Sequence, residues 1–177
     1  GDHLFLSKPL GFGVTTTALK KGLTTEEEVR EVSTWMKRLN DQAAQLALDC
    51  ELKSVTDITG FSLLGHASEL AEASQVGLEL IFNQIPLITP ARKYADAYTF
   101  PGGASDNKLW FGPRVSFDPA LNDSDQMLLF DPQTSGGLLL SVPDEKLQKF
   151  QQLANQRGLP VWEIGRVTEP SGIQVLQ

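Results

Sequence analysis

Apolar residues recur along the chain with two periods, and each period predicts one kind of element. Short apolar or alternating runs predict strands at 3–7, 55–57, 78–82, 115–117, 138–142, 161–167 and 173–176. Helical spacing predicts helices at 14–21, 24–49, 63–75, 91–98, 124–129 and 143–157. The stretch 100–110 contains adjacent glycines and predicts an irregular loop. The alternation of strands and helices predicts a layered α/β domain.

The helix predicted at 24–49 is the longest element. Thr24 with Glu27, or Thr25 with Glu28, can form a capping box at its start. Apolar residues continue at helical spacing to the end of this range, so we predict one uninterrupted helix. Cys50 follows it and is interpreted as a packing residue, because no histidine or basic residue lies beside it in the sequence.

Composition narrows the class of protein. The 177 residues are 41% hydrophobic and 21% charged, which suits one globular domain. The net charge of -7 and the lack of a basic stripe argue against nucleic acid as a partner. A single cysteine excludes an internal disulfide and fits a cytoplasmic location. No apolar run reaches the roughly 20 residues of a membrane span. The chain begins at Gly1 without methionine, so we expect an excised or internal domain.

The stretch 55–66 presents candidate chemistry where a strand gives way to a helix. Asp57 is predicted at the carboxyl end of the strand, next to the free N–H groups of the following helix. A metal ion held by this carboxylate could bridge to phosphate oxygens that the same N–H groups contact. Alternatively, Asp57 is a simple helix N-cap. His66, within the helix, is interpreted as a hydrogen-bonded packing residue rather than a ligand.

Three other stretches are candidates for lining a site. Residues 8–17 carry two glycines and three threonines without the spacing of a Walker A loop, which favours a structural turn beside a site. Residues 131–142 pass from a polar, glycine-rich turn into an apolar strand, where adjacent glycines permit close backbone approach. The loop predicted at 100–110 either closes over a ligand or is a plain surface excursion.

Three of these stretches together resemble selenophosphate synthetase (selenide, water dikinase). LSKPLGFGVTTTA at 6–18 is similar to the segment that joins the two domains of that family. TDITGFSLLGH at 56–66 resembles its TDVTGFGLLGH motif, and DPQTSGGLL at 131–139 matches its DPQTSGGLL motif. The PGG loop at 101–103 with Asn107 is a looser match. Order and spacing agree over nearly the whole chain.

The resemblance implies the carboxy-terminal domain of such an enzyme, with a three-layer α-β-α fold and a mixed sheet like that of aminoimidazole ribonucleotide synthetase. Residues 1–177 would form this single domain, and residues 1–13 would be the interdomain connection and first strand. The implied reaction converts ATP, selenide and water into selenophosphate, AMP and orthophosphate with Mg²⁺. The amino-terminal domain, which carries the reactive Cys or selenocysteine and an essential Lys, is absent. The full-length protein is expected to be a cytoplasmic homodimer, whereas this domain alone could be a monomer.

The resemblance also implies site residues. Asp57 matches the family's carboxy-terminal magnesium ligand. Six further residues are expected to line the ATP cleft: Thr56, Thr59, Gly60, Asn107, Thr134 and Ser135. No catalytic residue is expected in this chain, and Cys50 does not match the reactive position. Ser62 departs from the family, which usually has glycine there.

Two alternatives remain open. The chain could belong to another ATP-dependent synthetase or kinase of the same superfamily, which the product, AMP or ADP, would distinguish. It could also be a stand-alone nucleotide-sensing module, which would bind Mg-ATP without its amino-terminal partner.

Overall fold

The computed structural model describes residues 1–169 and 172–177. The seven strands in this part of the chain are β1 (His3–Leu6), β2 (Val55–Asp57), β3 (Gly77–Ile81), β4 (Val115–Phe117), β5 (Leu138–Val142), β6 (Trp162–Thr168) and β7 (Gly172–Leu176). Its eight α-helices are α1 (Phe12–Lys20), α2 (Glu26–Lys37), α3 (Asp41–Asp49), α4 (Ser62–Ser74), α5 (Ala91–Asp96), α6 (Gly102–Phe111), α7 (Asp123–Leu129) and α8 (Asp144–Gln156). Pro170 and Ser171, within the turn expected between the last two strands, lie outside the described residues.

The strands form one mixed sheet in the order β2-β5-β1-β6-β3-β7-β4. β7 runs parallel to both β3 and β4, whereas every other neighbouring pair is antiparallel. The strand that carries Asp57 is therefore an edge strand, paired on one side with β5. An edge position leaves the other side of β2 available to a neighbouring segment or ligand.

Helices cover both faces of the sheet, which confirms the predicted three-layer α/β fold. Along β1, Leu4 and Leu6 contribute to one apolar cluster and Phe5 to the other, as the alternation of side chains in a strand requires. The first cluster includes buried residues of α1, α2, α4, α5 and α7. The second includes those of α3 and α8, where the Phe5 and Phe150 rings lie 4.8 Å apart. None of the described helices has the length and apolar character needed to cross a membrane.

The prediction of one helix over 24–49 is wrong, because the chain turns between α2 and α3. The capping box at Thr25 and Glu28 is present, but Arg38 adopts an extended conformation and Leu39 is 73% exposed. The Asn40 side chain donates a 2.9 Å hydrogen bond to the Gly136 carbonyl oxygen. α2 packs on one face of the sheet and α3 on the other. The interruption thus carries the chain from one face to the other.

The irregular loop predicted at 100–110 is also wrong, since α6 covers most of this range. Pro101 stands immediately before the first helical turn in an extended conformation. Ala104, Asn107 and Phe111 are buried at helical spacing and hold this helix against the domain. Packing of this face outweighs the local effect of the Pro-Gly-Gly sequence.

Candidate functional site

The three stretches that carry the resemblance meet at one edge of the sheet. β1 and β2 are both antiparallel to β5, so their carboxyl ends flank the amino end of β5. Residues 7–13 follow β1, residues 58–61 follow β2, and residues 131–137 precede β5. Side chains and backbone groups distant in the sequence are therefore neighbours at this point, which we call the edge site.

Two glycines allow the segments to approach one another. A Cβ atom on Gly136 would overlap the Ile58 carbonyl oxygen, and one on Gly137 would lie 2.6 Å from the Lys8 backbone nitrogen. The Ile58 N–H donates to the Gly137 carbonyl oxygen at 2.8 Å. The glycine pair therefore fixes the distance between the segments that follow β1 and β2, as the sequence indicated.

Gln133 joins the DPQTSGG segment to the start of α1. Its Oε1 accepts hydrogen bonds from the N–H groups of Gly11 and Phe12, each at 3.1 Å. Its Nε2 donates to the Asp131 carbonyl oxygen at 2.7 Å and to Asp131 Oδ2 at 3.0 Å. These contacts use N–H groups that are unpaired at a free helix start. The segment 8–17 therefore has a structural role, as predicted from its sequence.

Asp131 is fully buried next to Gln133, whose side chain caps the start of α1. Burial raises the pKa of its carboxyl group from 3.8 to about 7, although hydrogen bonds from Val14, Gln133 and Gly13 act in the opposite direction. Oδ1 faces the first turn of α1 without a well-aligned donor, and a Cβ on Gly13 would collide with it. The sequence identified this motif, but neither Asp131 nor Gln133 was predicted to have this structural role.

Asp57 ends β2 and is exposed at the edge site. Its Cα pairs with that of Leu138 at the start of β5. No hydrogen bond or ion pair from residues 1–169 or 172–177 engages its carboxylate. The N-cap of α4 is Phe61, so the alternative in which Asp57 caps that helix is wrong.

A single exposed carboxylate fits Mg²⁺, which is commonly bound by one or two carboxylates together with phosphate oxygens and water. Within the described chain, no group of three or more His, Cys, Asp or Glu side chains could hold a metal ion. Asp57 would accordingly be one ligand of several, with the others supplied by nucleotide, water or another segment.

The expected cleft residues fall into exposed and buried groups. Gly60, Thr134 and Ser135 are exposed, whereas Thr56 and Thr59 are half-buried. The two segments are connected, because the Gln133 N–H donates to the Thr59 carbonyl oxygen at 3.0 Å. Gly60, Thr134 and Ser135 thus lie on adjoining exposed segments, next to the end of β2 that carries Asp57.

Asn107 is buried and stabilises the exposed segment that contains Gly60. The residue is 6% exposed, and its Nδ2 donates to the carbonyl oxygens of Gly60 at 2.9 Å and Phe130 at 3.1 Å. His66 likewise has a supporting position, with Nε2 located 2.9 Å from Thr59 Oγ1 and Nδ1 located 3.0 Å from Glu69 Oε2. The interpretation of His66 as a hydrogen-bonded packing residue agrees with this geometry.

Ser62, where the resembled family usually has glycine, begins α4 with φ at 70° while fully buried. This left-handed conformation is one that glycine adopts without a Cβ penalty. Its Oγ accepts a long hydrogen bond, 3.5 Å, from the Gly65 N–H. The serine therefore keeps the backbone turn and places a hydroxyl inside it.

Lys8 is a basic residue of the edge site that was not predicted from the sequence. The residue is only 3% exposed, and its Nζ donates to the Ser135 carbonyl oxygen at 2.9 Å. Burial, followed by the positive charge of Arg38, lowers the pKa of the Lys8 ammonium group. Cys50 lies elsewhere, buried against α8, and burial raises the pKa of its thiol, as expected for a packing residue.

Solved structures with this fold include proteins of several activities. The thiamine-monophosphate kinase from Stenotrophomonas maltophilia superposes with a TM-score of 0.67 at 16% identity, over 99% of this chain and 50% of that chain. The hydrogenase maturation protein HypE from E. coli gives a TM-score of 0.68 at 18% identity, over 99% and 45% of the respective chains. At these identities the similarity establishes the fold class, a three-layer α/β domain that forms about half of each of these proteins.

The chain belongs to the family described as AIR synthase related protein, C-terminal domain, which matches residues 1–176. Among curated relatives, the selenide, water dikinase of Carboxydothermus hydrogenoformans is 40% identical over 172 residues, or 97% of this chain and 50% of the relative. That of Geobacter metallireducens is 39% identical over 170 residues, or 96% and 49%. The chain therefore spans about half the length of the curated relatives it matches.

Proposed function

We propose that this chain is the carboxy-terminal half of a selenide, water dikinase and forms one wall of its Mg-ATP cleft. The main structural support for this proposal is the exposed Asp57 carboxylate, which lies where β1, β2 and β5 meet. Identity of 40% with a selenide, water dikinase over 97% of the chain supports the choice of reaction. The reaction would convert ATP, selenide and water into selenophosphate, AMP and orthophosphate.

Asp57 would bind Mg²⁺ through its carboxylate oxygens. When bound, the ion supplies positive charge that offsets the negative charge of the phosphate oxygens. The position of Asp57 is fixed by pairing of β2 with β5 and by the close contact of Gly136 with the Ile58 carbonyl. A carboxylate held in this way can orient a metal-bound phosphate chain with little loss of conformational freedom on binding.

The exposed backbone around Asp57 would provide the rest of this wall. Gly60 has no side chain, and a Cβ added there would meet nothing within 4 Å, so a ligand can approach its backbone closely. Thr134 and Ser135 present hydroxyl groups on the adjoining segment. Thr56 and Thr59 would border the cleft, and Asn107 would act by holding Gly60 in place.

The full-length protein would contain an amino-terminal half in addition to this chain. Since the relatives are about twice as long, the amino-terminal half would supply the reactive Cys or selenocysteine, the essential Lys and further metal ligands. This chain alone would then be inactive. A cytoplasmic location and a homodimer of the full-length protein remain predictions.

A product assay on the full-length protein tests the proposal. We expect AMP and orthophosphate to appear in a selenide-dependent manner, and Asp57→Asn to lower kcat/KM by about 100-fold or more, the scale of a lost charge-stabilising contact. The matched control is Glu145→Gln, an exposed glutamate in the first turn of α8, which follows the carboxyl end of β5 rather than the amino end at the edge site; it should leave the rate unchanged.

Two results would contradict the proposal. Formation of ADP as the final product would indicate another kinase of this superfamily. Tight binding of Mg-ATP by this chain alone, unaffected by Asp57→Asn, would indicate a stand-alone nucleotide sensor.

A further inference from the structure

Lys8 has more hydrogen-bonding capacity than the described residues satisfy. An ammonium group carries three donors, and the structure provides one acceptor, the Ser135 carbonyl oxygen at 2.9 Å. No acidic side chain in the described part of the chain forms an ion pair with it. Because a lysine is almost never fully buried unless it is paired, the arrangement calls for an additional acceptor.

Arg38 brings a second positive charge towards this segment, because it precedes Asn40, whose side chain donates to the Gly136 carbonyl oxygen, and its charge lowers the pKa of Lys8. It is half-buried at the turn between α2 and α3, and its guanidinium carbon lies 5.6 Å from the centre of the Trp35 ring. Among residues 1–169 and 172–177, no carboxylate forms an ion pair with this guanidinium. Two positive charges that no described carboxylate pairs with, in a chain of net charge -7, are an arrangement that a bound anion would stabilise.

The backbone beside these cations also has donors available. The carbonyl oxygens of Ser135 and Gly136 accept hydrogen bonds from Lys8 Nζ and Asn40 Nδ2. The N–H groups of Thr134, Ser135 and Gly136 make no hydrogen bond with the described residues. Ser135 has φ at 60°, and successive N–H groups around such a left-handed residue form concave anion sites in other proteins.

The position of these groups relative to Asp57 suggests which anion they bind. Lys8 follows β1 and Asp57 ends β2, on either side of β5. With neighbouring strands about 4.8 Å apart, the two segments are about 10 Å apart, a distance that a polyphosphate chain can span.

We propose that Lys8 and Arg38, with the N–H groups of residues 134–136, form an anion site for a phosphate group at the opposite side of the edge site from Asp57. The ligand is a terminal phosphoryl group of the nucleotide or orthophosphate released from it. The planar, multiply donating guanidinium of Arg38 and the point charge of Lys8 are both suited to phosphate oxygens. The identity of the phosphate source rests on the proposed function, but the site itself does not.

Binding of inorganic phosphate without magnesium tests the site. The thermal midpoint of this chain is measured across a phosphate series, with sodium chloride at equal ionic strength as the reference. We expect a saturable rise in Tm for the wild type, and a Kd weakened by about tenfold or more in Lys8→Met, as for the loss of a charged hydrogen-bond donor. Arg38→Gln should weaken the Kd several-fold, and Lys8→Arg should retain binding. Lys20→Met, at an exposed lysine in the last turn of α1, is the matched control and should bind as the wild type does.

The outcomes separate this inference from the proposed function. Asp57→Asn should keep phosphate binding in the absence of magnesium, so a failure of the Asp57 proposal leaves this result standing. A parallel series with AMP tests this assignment: weaker binding of AMP than of orthophosphate assigns the site to a terminal or released phosphoryl group, whereas equal or tighter binding of AMP would assign it to the α-phosphate and overturn that part of the inference. The inference is overturned if the wild type shows no saturable response, or if Lys8→Met and Arg38→Gln bind phosphate as tightly as the wild type.

Discussion

Substitution of Gln133 by leucine tests the structural role of the DPQTSGG segment. Gln133 is fully buried, and its amide makes four hydrogen bonds, two to the N–H groups at the start of α1 and two to Asp131. Leucine has a similar volume but can neither accept nor donate. The change therefore removes the polar contacts while nearly preserving the packing.

The expected cost follows from the groups left unpaired. The N–H groups of Gly11 and Phe12 would each lose their acceptor in a buried position, at a cost of about 1–3 kcal/mol per group. Asp131 would lose a donor to Oδ2 as well. We expect Gln133→Leu to lower the free energy of unfolding by about 4 kcal/mol, a large part of the roughly 5–15 kcal/mol typical of a domain.

Urea denaturation, monitored by circular dichroism, measures this difference. Gln151→Leu, at an exposed position of α8, is the matched control and should change the free energy of unfolding by less than about 0.5 kcal/mol. A loss below about 1 kcal/mol for Gln133→Leu, at an unchanged m-value, would mean that water or rearrangement satisfies these donors and that Gln133 does not have this structural role.

Three further predictions concern stability. Because the folded-state pKa of Asp131, about 7, exceeds the reference value of 3.8, the folded state retains a proton that the unfolded chain releases. The free energy of unfolding should therefore fall as pH rises from 4 to 7, by up to about 1.4 kcal/mol per pH unit. In urea titrations, Asp131→Asn should flatten this slope. Equal slopes in both proteins would contradict the prediction. Ser62→Gly should raise stability by up to about 1 kcal/mol in thermal unfolding, because φ at 70° penalises serine, and a clear loss would show that the hydroxyl contact dominates. Gly136→Ala should lower the free energy of unfolding by about 1–3 kcal/mol, because the added Cβ would overlap the Ile58 carbonyl. The control Gly102→Ala should be tolerated, because a Cβ there meets nothing within 4 Å. Equal melting temperatures for the two variants would be inconsistent with the close approach of Gly136 to Ile58.

Local signals in the sequence were sufficient for most elements. The capping box at Thr25 and Glu28 lies within one turn of helix, and the strand ending at Asp57 is a short run followed by a polar turn. The break after α2 was not predictable in this way. It depends on the contact of Asn40 with Gly136, a residue 96 positions away, and on the passage of the chain between the faces of the sheet.

The candidate site shows the same division between local and distant information. Asp57 and the glycine pair at 136–137 were identified from their residue types and spacing. The cap formed by Gln133 and the burial of Lys8 depend on strands β1 and β5 being neighbours, which the sequence pattern does not specify. α6 was mistaken for a loop because Pro-Gly-Gly opens it, whereas its buried face is defined only by packing against α4 and α7.

We propose that Asp57 holds Mg²⁺ against the phosphate groups of ATP at the edge site. The most direct test is a crystal structure of the full-length protein with magnesium and a non-hydrolysable ATP analogue. We expect an Asp57 carboxylate oxygen about 2.1 Å from an ion that also contacts phosphate oxygens. An Asp57 side chain directed away from every bound ion, with the nucleotide seated elsewhere, would contradict it.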